Sequence, residues 1–286
     1  MVVADYVANG RKTGQRVEES YRLHLSPFFH ETPVDRIGRL TPAYRDHRLA
    51  EGAAAATIRL ELMNLSRGFT LAALHGDLPY PQPIVTIRVQ NVRQFSIPED
   101  KVDTLLARLP YDVRDTVYAL ALTGWRTSEI TGLLWKNVDW PNKEIRLEAG
   151  TAKNGRARTF PFAELPQMEA LLKRRWKKTL DAETLLGGKI RFVFHRKGKP
   201  IKRFYKSWRT ACRLAELEGA VPHDLRRTTR MILRRADVPD QTAMDLLGHK
   251  TRSSSDRYGL VEREDLQEGT RRYAARLASS RSRHGL

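Results

Sequence analysis

Lys143-Glu144-Ile145-Arg146-Leu147 and Arg158-Thr159-Phe160-Pro161-Phe162 flank the segment Thr151-Ala152-Lys153-Asn154-Gly155-Arg156-Ala157, and this stretch decides the fold. The first piece alternates apolar and charged residues, as a half-buried strand does. Asn154-Gly155 is the favoured two-residue hairpin turn, so Arg158 to Phe162 reads as the returning strand. Helical segments surround this hairpin: 98–108, 111–122 and Arg126 to Leu134 before it, then 202–217, 224–236 and 240–247 after it. Arg191 to His195 reads as a third strand, and 253–278 has helical tendency before a basic tail. The expected fold is mainly α with a small antiparallel β-sheet.

The N-terminal third reads as helical throughout. Residues 15–25 suit one helix, with Pro27 just beyond its end. Thr41-Pro42 has the form of an N-cap followed by proline at the first helical position, opening a helix through about Leu49. Ile58, Leu62, Leu65, Phe69 and Ala72 recur at three and four, which marks Ala53 to Leu74 as amphipathic. Pro79, Pro81 and Pro83 then exclude helix. The expected organisation is a helical domain over 1–80, a linker over 81–97 with a short extended piece at Ile84 to Val89, and a second domain over 98–286 whose tail begins near 260.

The chain of 286 residues carries 51 Lys+Arg against 33 Asp+Glu, a formal net charge of +18. Such an excess on a folded chain favours polyanionic partners, above all nucleic acid. It is uneven: residues 1–95 hold 12 basic and 9 acidic side chains, whereas residues 96–286 hold 39 and 24. The hydrophobic fraction of 41% supports a real core and excludes wholesale disorder. Cys212 is the single cysteine, which excludes an internal disulfide and a multi-cysteine zinc module. No secretory signal is visible at the N-terminus, and no apolar run approaches the roughly 18 residues of a membrane span. A soluble, cytoplasmic protein with no membrane partner is expected.

Five short pieces carry chemistry. Thr123-Gly124-Trp125-Arg126-Thr127-Ser128-Glu129-Ile130 places Arg126 and Glu129 three apart near a helix start. Lys153 sits at the hairpin tip. In His223-Asp224-Leu225-Arg226, an imidazole, a guanidinium and a helix N-terminus converge as a phosphate site would require. Leu246-Leu247-Gly248-His249 puts His249 at the C-terminal edge of a helix, and Arg257-Tyr258 follows nine residues later. Alone, each has a commonplace reading: a surface ion pair, a solvated lysine, a chance His-x-x-Arg, a capping histidine, a packing tyrosine.

Their order is more specific. Arg126, Lys153, His223, Arg226, His249 and Tyr258 occur in sequence within local contexts that resemble the tyrosine recombinase (phage integrase) family, over about residues 98–260. The segment from Tyr21 to about Leu74 also looks like the core-binding domain of that family. Trp125, where the family more often has an aliphatic residue, and the polar Thr229-Arg230 depart from the pattern without touching a catalytic position. The resemblance implies a helical core-binding domain followed by an α+β catalytic domain. It implies Arg126, Lys153, His223, Arg226, His249 and Tyr258 as the catalytic set, with Glu129 supporting Arg126. It also implies double-stranded DNA with inverted core sites as substrate, a dimer per site, a homotetramer in synapsis and accessory DNA-bending proteins as further partners. The N-terminal arm-binding domain that many phage integrases carry is expected to be absent.

These residue types fit the chemistry in their own right. Two arginines neutralise the non-bridging oxygens of a phosphodiester with permanent charge. A phenol with an ordinary pKa of about 10 needs a proton acceptor as it attacks, for which His223 is the candidate. Lys153 is placed to protonate the leaving oxygen. None of these roles requires a metal or another cofactor, and no phosphate-binding glycine loop is present. A type IB topoisomerase shares the nucleophile and arginines, and a DNA-binding protein could keep the fold without the chemistry. The intact set argues against the latter, and the core-binding segment and tail against the former.

Overall fold

The computed structural model describes residues 1–11, 13–89, 93, 95–148, 157–249 and 270. The chain divides into two compact units, Met1–Arg93 and Gln94–Leu286. The division falls inside the 81–97 stretch. The Asn154-Gly155 turn and the 253–278 segment lie outside the described residues, apart from Thr270.

The first unit holds α1 (Val2–Ala8), α2 (Gly14–Ser20), a π-helical turn (Tyr21–Leu25), α3 (Ser26–Phe29), α4 (Val34–Ala50) and α5 (Ala55–Leu74). Leu25, Phe29, Tyr44, Ile58 and Leu62 form its core. Inside lies a charged network. Arg48 donates to both carboxylate oxygens of Glu61 (3.1 and 2.9 Å), and the Tyr44 hydroxyl donates to the same group at 2.8 Å. This lets a buried carboxylate tie α4 to α5. Residues 81–89 form no strand, but Ile84 and Ile87 pack against this core.

Proline misleads twice here. The helical path does not stop before Pro27. It widens at Tyr21–Leu25, where the Ser26 N–H reaches back five residues to Tyr21 O, and continues to Phe29. The wide turn relieves the clash a proline ring makes with the preceding turn. Nor does Pro42 start a helix, since it lies inside α4, whose N-cap is Pro33. An ordinary residue at 42 would donate its N–H to Gly38 O. The Thr41 hydroxyl supplies that bond instead, at 2.9 Å. The carbonyl of Pro83 also approaches so closely that a Cβ on Gly38 would lie 2.6 Å from it. The short α1 lies where no element is expected from sequence.

The second unit begins with α6 (Glu99–Ala107), α7 (Tyr111–Thr123) and α8 (Thr127–Thr131), followed by a 3₁₀ turn at Trp135–Asn137. Strands β1 (Val138–Asp139), β2 (Glu144–Leu147) and β3 (Arg158–Pro161) form an antiparallel sheet in that order, with Ile145 opposite Phe160 and Leu147 opposite Arg158. Then come α9 (Pro166–Leu186), the small hairpin β4 (His195–Arg196) and β5 (Lys199–Pro200), α10 (Tyr205–Leu214), α11 (Asp224–Arg235) and α12 (Asp240–Leu247). Leu105, Val113, Val117, Leu120, Ile130, Leu171, Val193, Phe194, Trp208 and Leu225 are among the side chains of one continuous core. The expected mainly helical fold with a small antiparallel sheet is what the structure shows.

Three expectations change in this unit. The helix after Arg126 ends at Thr131, because Leu133 and Trp135 turn their backbones to Val193 N (2.9 Å) and Arg191 O (2.9 Å). For the same reason the strand expected over Arg191–His195 reduces to a bridge, Leu134 opposite Phe192, and the two-residue β4. The helix expected over 202–217 occupies only Tyr205–Leu214. Helix α9 is a 21-residue element that periodicity did not reveal, although Pro166 in its first turn and Gly187 at its left-handed end (φ 68°) mark both limits.

α9 is held to β4 by buried polar groups. Arg175 donates to Val193 O (3.1 Å) and His195 O (3.0 Å), and the Trp135 indole donates to Thr179 Oγ1 at 3.1 Å. His195 Nε2 lies 3.0 Å from Thr179 Oγ1, and His195 Nδ1 accepts the Gly198 N–H at 3.3 Å. Protonation would require that acceptor nitrogen to carry a proton. Burial and the neighbouring Arg175 push the His195 pKa down to about 4.

Two stability predictions follow from these contacts. Thr41→Val should cost about 1–3 kcal/mol in urea unfolding, the desolvation penalty of an unmatched buried carbonyl, with an unchanged denaturant slope. The folded-state pKa of His195 is depressed, so its stabilisation is complete above the unfolded value of about 6.5. It is lost as pH falls from there toward the folded pKa of about 4. Melting temperatures of His195→Gln across that window should fall less steeply than those of the unaltered protein.

Candidate active site

The site is assembled where α7, α8, β3, α11 and α12 meet. α7 ends on Gly124, which takes a left-handed conformation (φ 60°) that only glycine adopts without strain. A Cβ there would collide with the Leu247 side chain. The turn delivers Trp125 into the core, where its indole N–H donates to Leu246 O at 2.9 Å. Arg126 comes next, as the N-cap of α8.

Glu129 organises this corner. One carboxylate oxygen accepts the Arg126 backbone N–H at 2.9 Å, and the other accepts the Arg126 guanidinium at 3.1 Å. The first oxygen also accepts the guanidinium of Arg158 on β3. A buried carboxylate thus sits between two guanidiniums, only one of which is on its own helix.

Arg226 lies on α11, one turn beyond His223 at the N-cap. It is 1% exposed. Its Nη1 donates to Gly124 O (3.0 Å) and Leu247 O (2.5 Å), and its Nε donates to His249 Nε2 at 3.0 Å. α12 ends on Gly248 (φ 69°), and the His249 N–H closes back on Met244 O at 2.8 Å. That reversal turns the imidazole toward Arg226. Thr229 fastens α11 to α7 by donating to Ala121 O at 2.9 Å.

The electrostatics follow from this crowding. Burial, then Arg226, Arg227 and Arg126, push the His223 pKa down to about 4. Burial, then Arg226, Arg126 and Arg230, push His249 to about 3. Both imidazoles are therefore neutral near pH 7. Because His249 Nε2 accepts from Arg226, its ring proton sits on Nδ1. The arrangement is an electropositive cluster of guanidiniums with two neutral imidazoles beside them, a chemistry suited to a tetrahedral anion. No group of three or more His, Cys, Asp or Glu side chains with the arrangement of metal ligands occurs among the described residues.

Arg126, Glu129, His223, Arg226 and His249 are thus brought together from three separate segments. Lys153 and Tyr258 lie outside the described residues. Arg158 belongs to the site although motif reading passed it over. Strand alternation places it on the same face as Phe160 and Phe162, both buried. An arginine on an apolar face was the available signal. Arg230, 5% exposed and one turn beyond Arg226, pairs with Asp240 at 2.7 Å and adds its charge to the field at His249.

A sequence profile of the phage integrase family matches residues 96–264. The tyrosine recombinase XerA of Pyrococcus furiosus is 27% identical over 233 residues, covering 78% of this chain and 76% of that protein. Among solved structures, the Tn1549 transposon integrase in complex with a circular intermediate DNA superposes with a TM-score of 0.74 at 15% identity, covering 95% of this chain and 98% of that one. A lambda integrase tetramer bound to a Holliday junction gives 0.65 at 18% identity, over 88% of this chain and 74% of that one.

Proposed function

Because the chain belongs to the phage integrase family and is a tyrosine-type site-specific recombinase, we propose that Tyr258 is its nucleophile and that Arg126 and Arg226 hold the scissile phosphate of duplex DNA. The observation that carries this reading is the meeting of Arg126, His223, Arg226 and His249 in one electropositive cluster. The first unit is the core-binding half and the second the catalytic half.

In the reaction, Tyr258 Oη attacks phosphorus as the bond to the 5′-oxygen breaks, leaving a 3′-phosphotyrosine and a free 5′-hydroxyl. His223, neutral in the free site, accepts the phenolic proton. Lys153 gives a proton to the departing 5′-oxygen. Arg126 and Arg226 neutralise the charge that gathers on the non-bridging oxygens, and His249 donates its Nδ1 proton to the same phosphate. Glu129 fixes the rotamer of Arg126. The phosphodiester energy is kept in the tyrosyl ester, so attack by a 5′-hydroxyl from a partner duplex restores the backbone without a nucleotide.

Two protomers bind inverted half-sites of a core sequence, and two such pairs exchange strands through a Holliday junction, integrating or excising a mobile element. Accessory DNA-bending proteins assist the assembly. The Holliday-junction tetramer of lambda integrase supports this stoichiometry.

The core site is obtained by covalent capture from a random duplex library carrying a nick, so that the cleaved end diffuses away. On that substrate Tyr258→Phe should bind DNA and form no adduct; an adduct in this variant would assign the nucleophile elsewhere. Arg226→Lys keeps a charge but loses the planar fork. It should slow single-turnover cleavage by about 10²–10³-fold, the scale of one lost oxyanion donor. Near-normal cleavage would remove Arg226 from the phosphate.

A further inference from the structure

We propose that Arg158 is a positioning residue that sets Arg126 and Arg226 at a fixed separation across the scissile phosphate. The inference rests on the reading of those two arginines as phosphate ligands. Arg158 joins them through two shared acceptors. Its Nη2 pairs with the Glu129 carboxylate that also holds Arg126. Its Nη1 donates at 3.1 Å to Leu247 O, the carbonyl that accepts Arg226 at 2.5 Å. The path from Arg126 through Glu129, Arg158 and Leu247 O to Arg226 and His249 is continuous.

The surroundings are shaped to hold this guanidinium. Its carbon lies 4.5 Å from the centre of the Trp125 ring, and Gly248 leaves room where any Cβ would collide with Nη1. Trp125 itself is pinned to α12 through Leu246 O. Placing a third cation beside Arg126 is unfavourable in itself, since burial and the Arg126 charge both disfavour the charged form of Arg158. An apolar side chain would fill the same space without that cost. What it could not do is bond to two acceptors at once in a planar fork.

A positioning role and a packing role separate on a substrate that does not need the arginines. Replacing one non-bridging oxygen of the scissile phosphate by methyl removes the negative charge that Arg126 and Arg226 are there to meet. The readout is the cleavage rate of each variant relative to unaltered protein, measured on the phosphate and on the methylphosphonate form of the captured core site. Arg158→Met should lose about 100-fold on phosphate, the scale expected when a group is displaced by about 1 Å, and recover most of that on methylphosphonate. Arg158→Lys retains charge but cannot span both acceptors, and should behave in the same way; it serves if the methionine variant does not fold. Arg126→Ala is the reference. If it recovers on methylphosphonate while both Arg158 variants lose equally on the two substrates, Arg158 only packs and the inference is overturned. If Arg126→Ala itself fails to recover, the phosphate assignment falls, and this inference with it.

Discussion

A guanidinium removed from water must have its donors met, and that requirement governs the geometry of the second unit. Arg226 is 1% exposed, and its acceptors come from the end of α7 (Gly124 O), the end of α12 (Leu247 O) and the residue after that helix turns back (His249). Each is available because a helix stops on a glycine with positive φ: Gly124 at 60° and Gly248 at 69°. Helix termini present carbonyls that their own helix does not use. Two such ends aimed at one arginine fix it at the junction of α7, α11 and α12.

This explains which parts were legible beforehand. Gly124 and Gly248 flank the motifs, so helix ends and functional residues were announced by the same letters. Arg126, Glu129, His223, Arg226 and His249 could be singled out because short motifs hold them at fixed spacing. Arg158 has no such motif. Its contacts are to Glu129, Leu247 and Trp125, separated from it by 29, 89 and 33 positions along the chain, and only the packed fold brings them together. The signal the sequence holds for it is alternation from β3 on to Phe162, which puts an arginine on the face of Phe160 and Phe162.

The misread elements share a cause. Pro27 and Pro42 read as boundaries because proline lacks an N–H and crowds the preceding turn. Both consequences are met locally, by a π-helical turn before Pro27 and by the Thr41 hydroxyl at Gly38 O. Local rules describe the isolated chain, whereas a side-chain donor one residue away can supply the missing bond. At α9 the apolar face is interrupted by Arg175, which is 1% exposed. That arginine is satisfied by Val193 O and His195 O rather than by solvent, so a buried position carried a charged letter and the periodicity was lost.

The same burial that organises the arginines sets the proton chemistry. In the free protein, desolvation and the field of Arg226 and Arg126 hold His223 near 4 and His249 near 3. An imidazole so depressed is a weak base. A bound phosphodiester brings a negative charge between the guanidiniums, cancelling much of the field that depresses the imidazoles, while deeper burial acts against this. A phosphate placed there would offset only the share of the depression at His223 that comes from Arg226, Arg227 and Arg126, while the larger share, from burial, would remain. The positive charge that first suggests an affinity for DNA thus also sets part of the proton affinity of the two imidazoles.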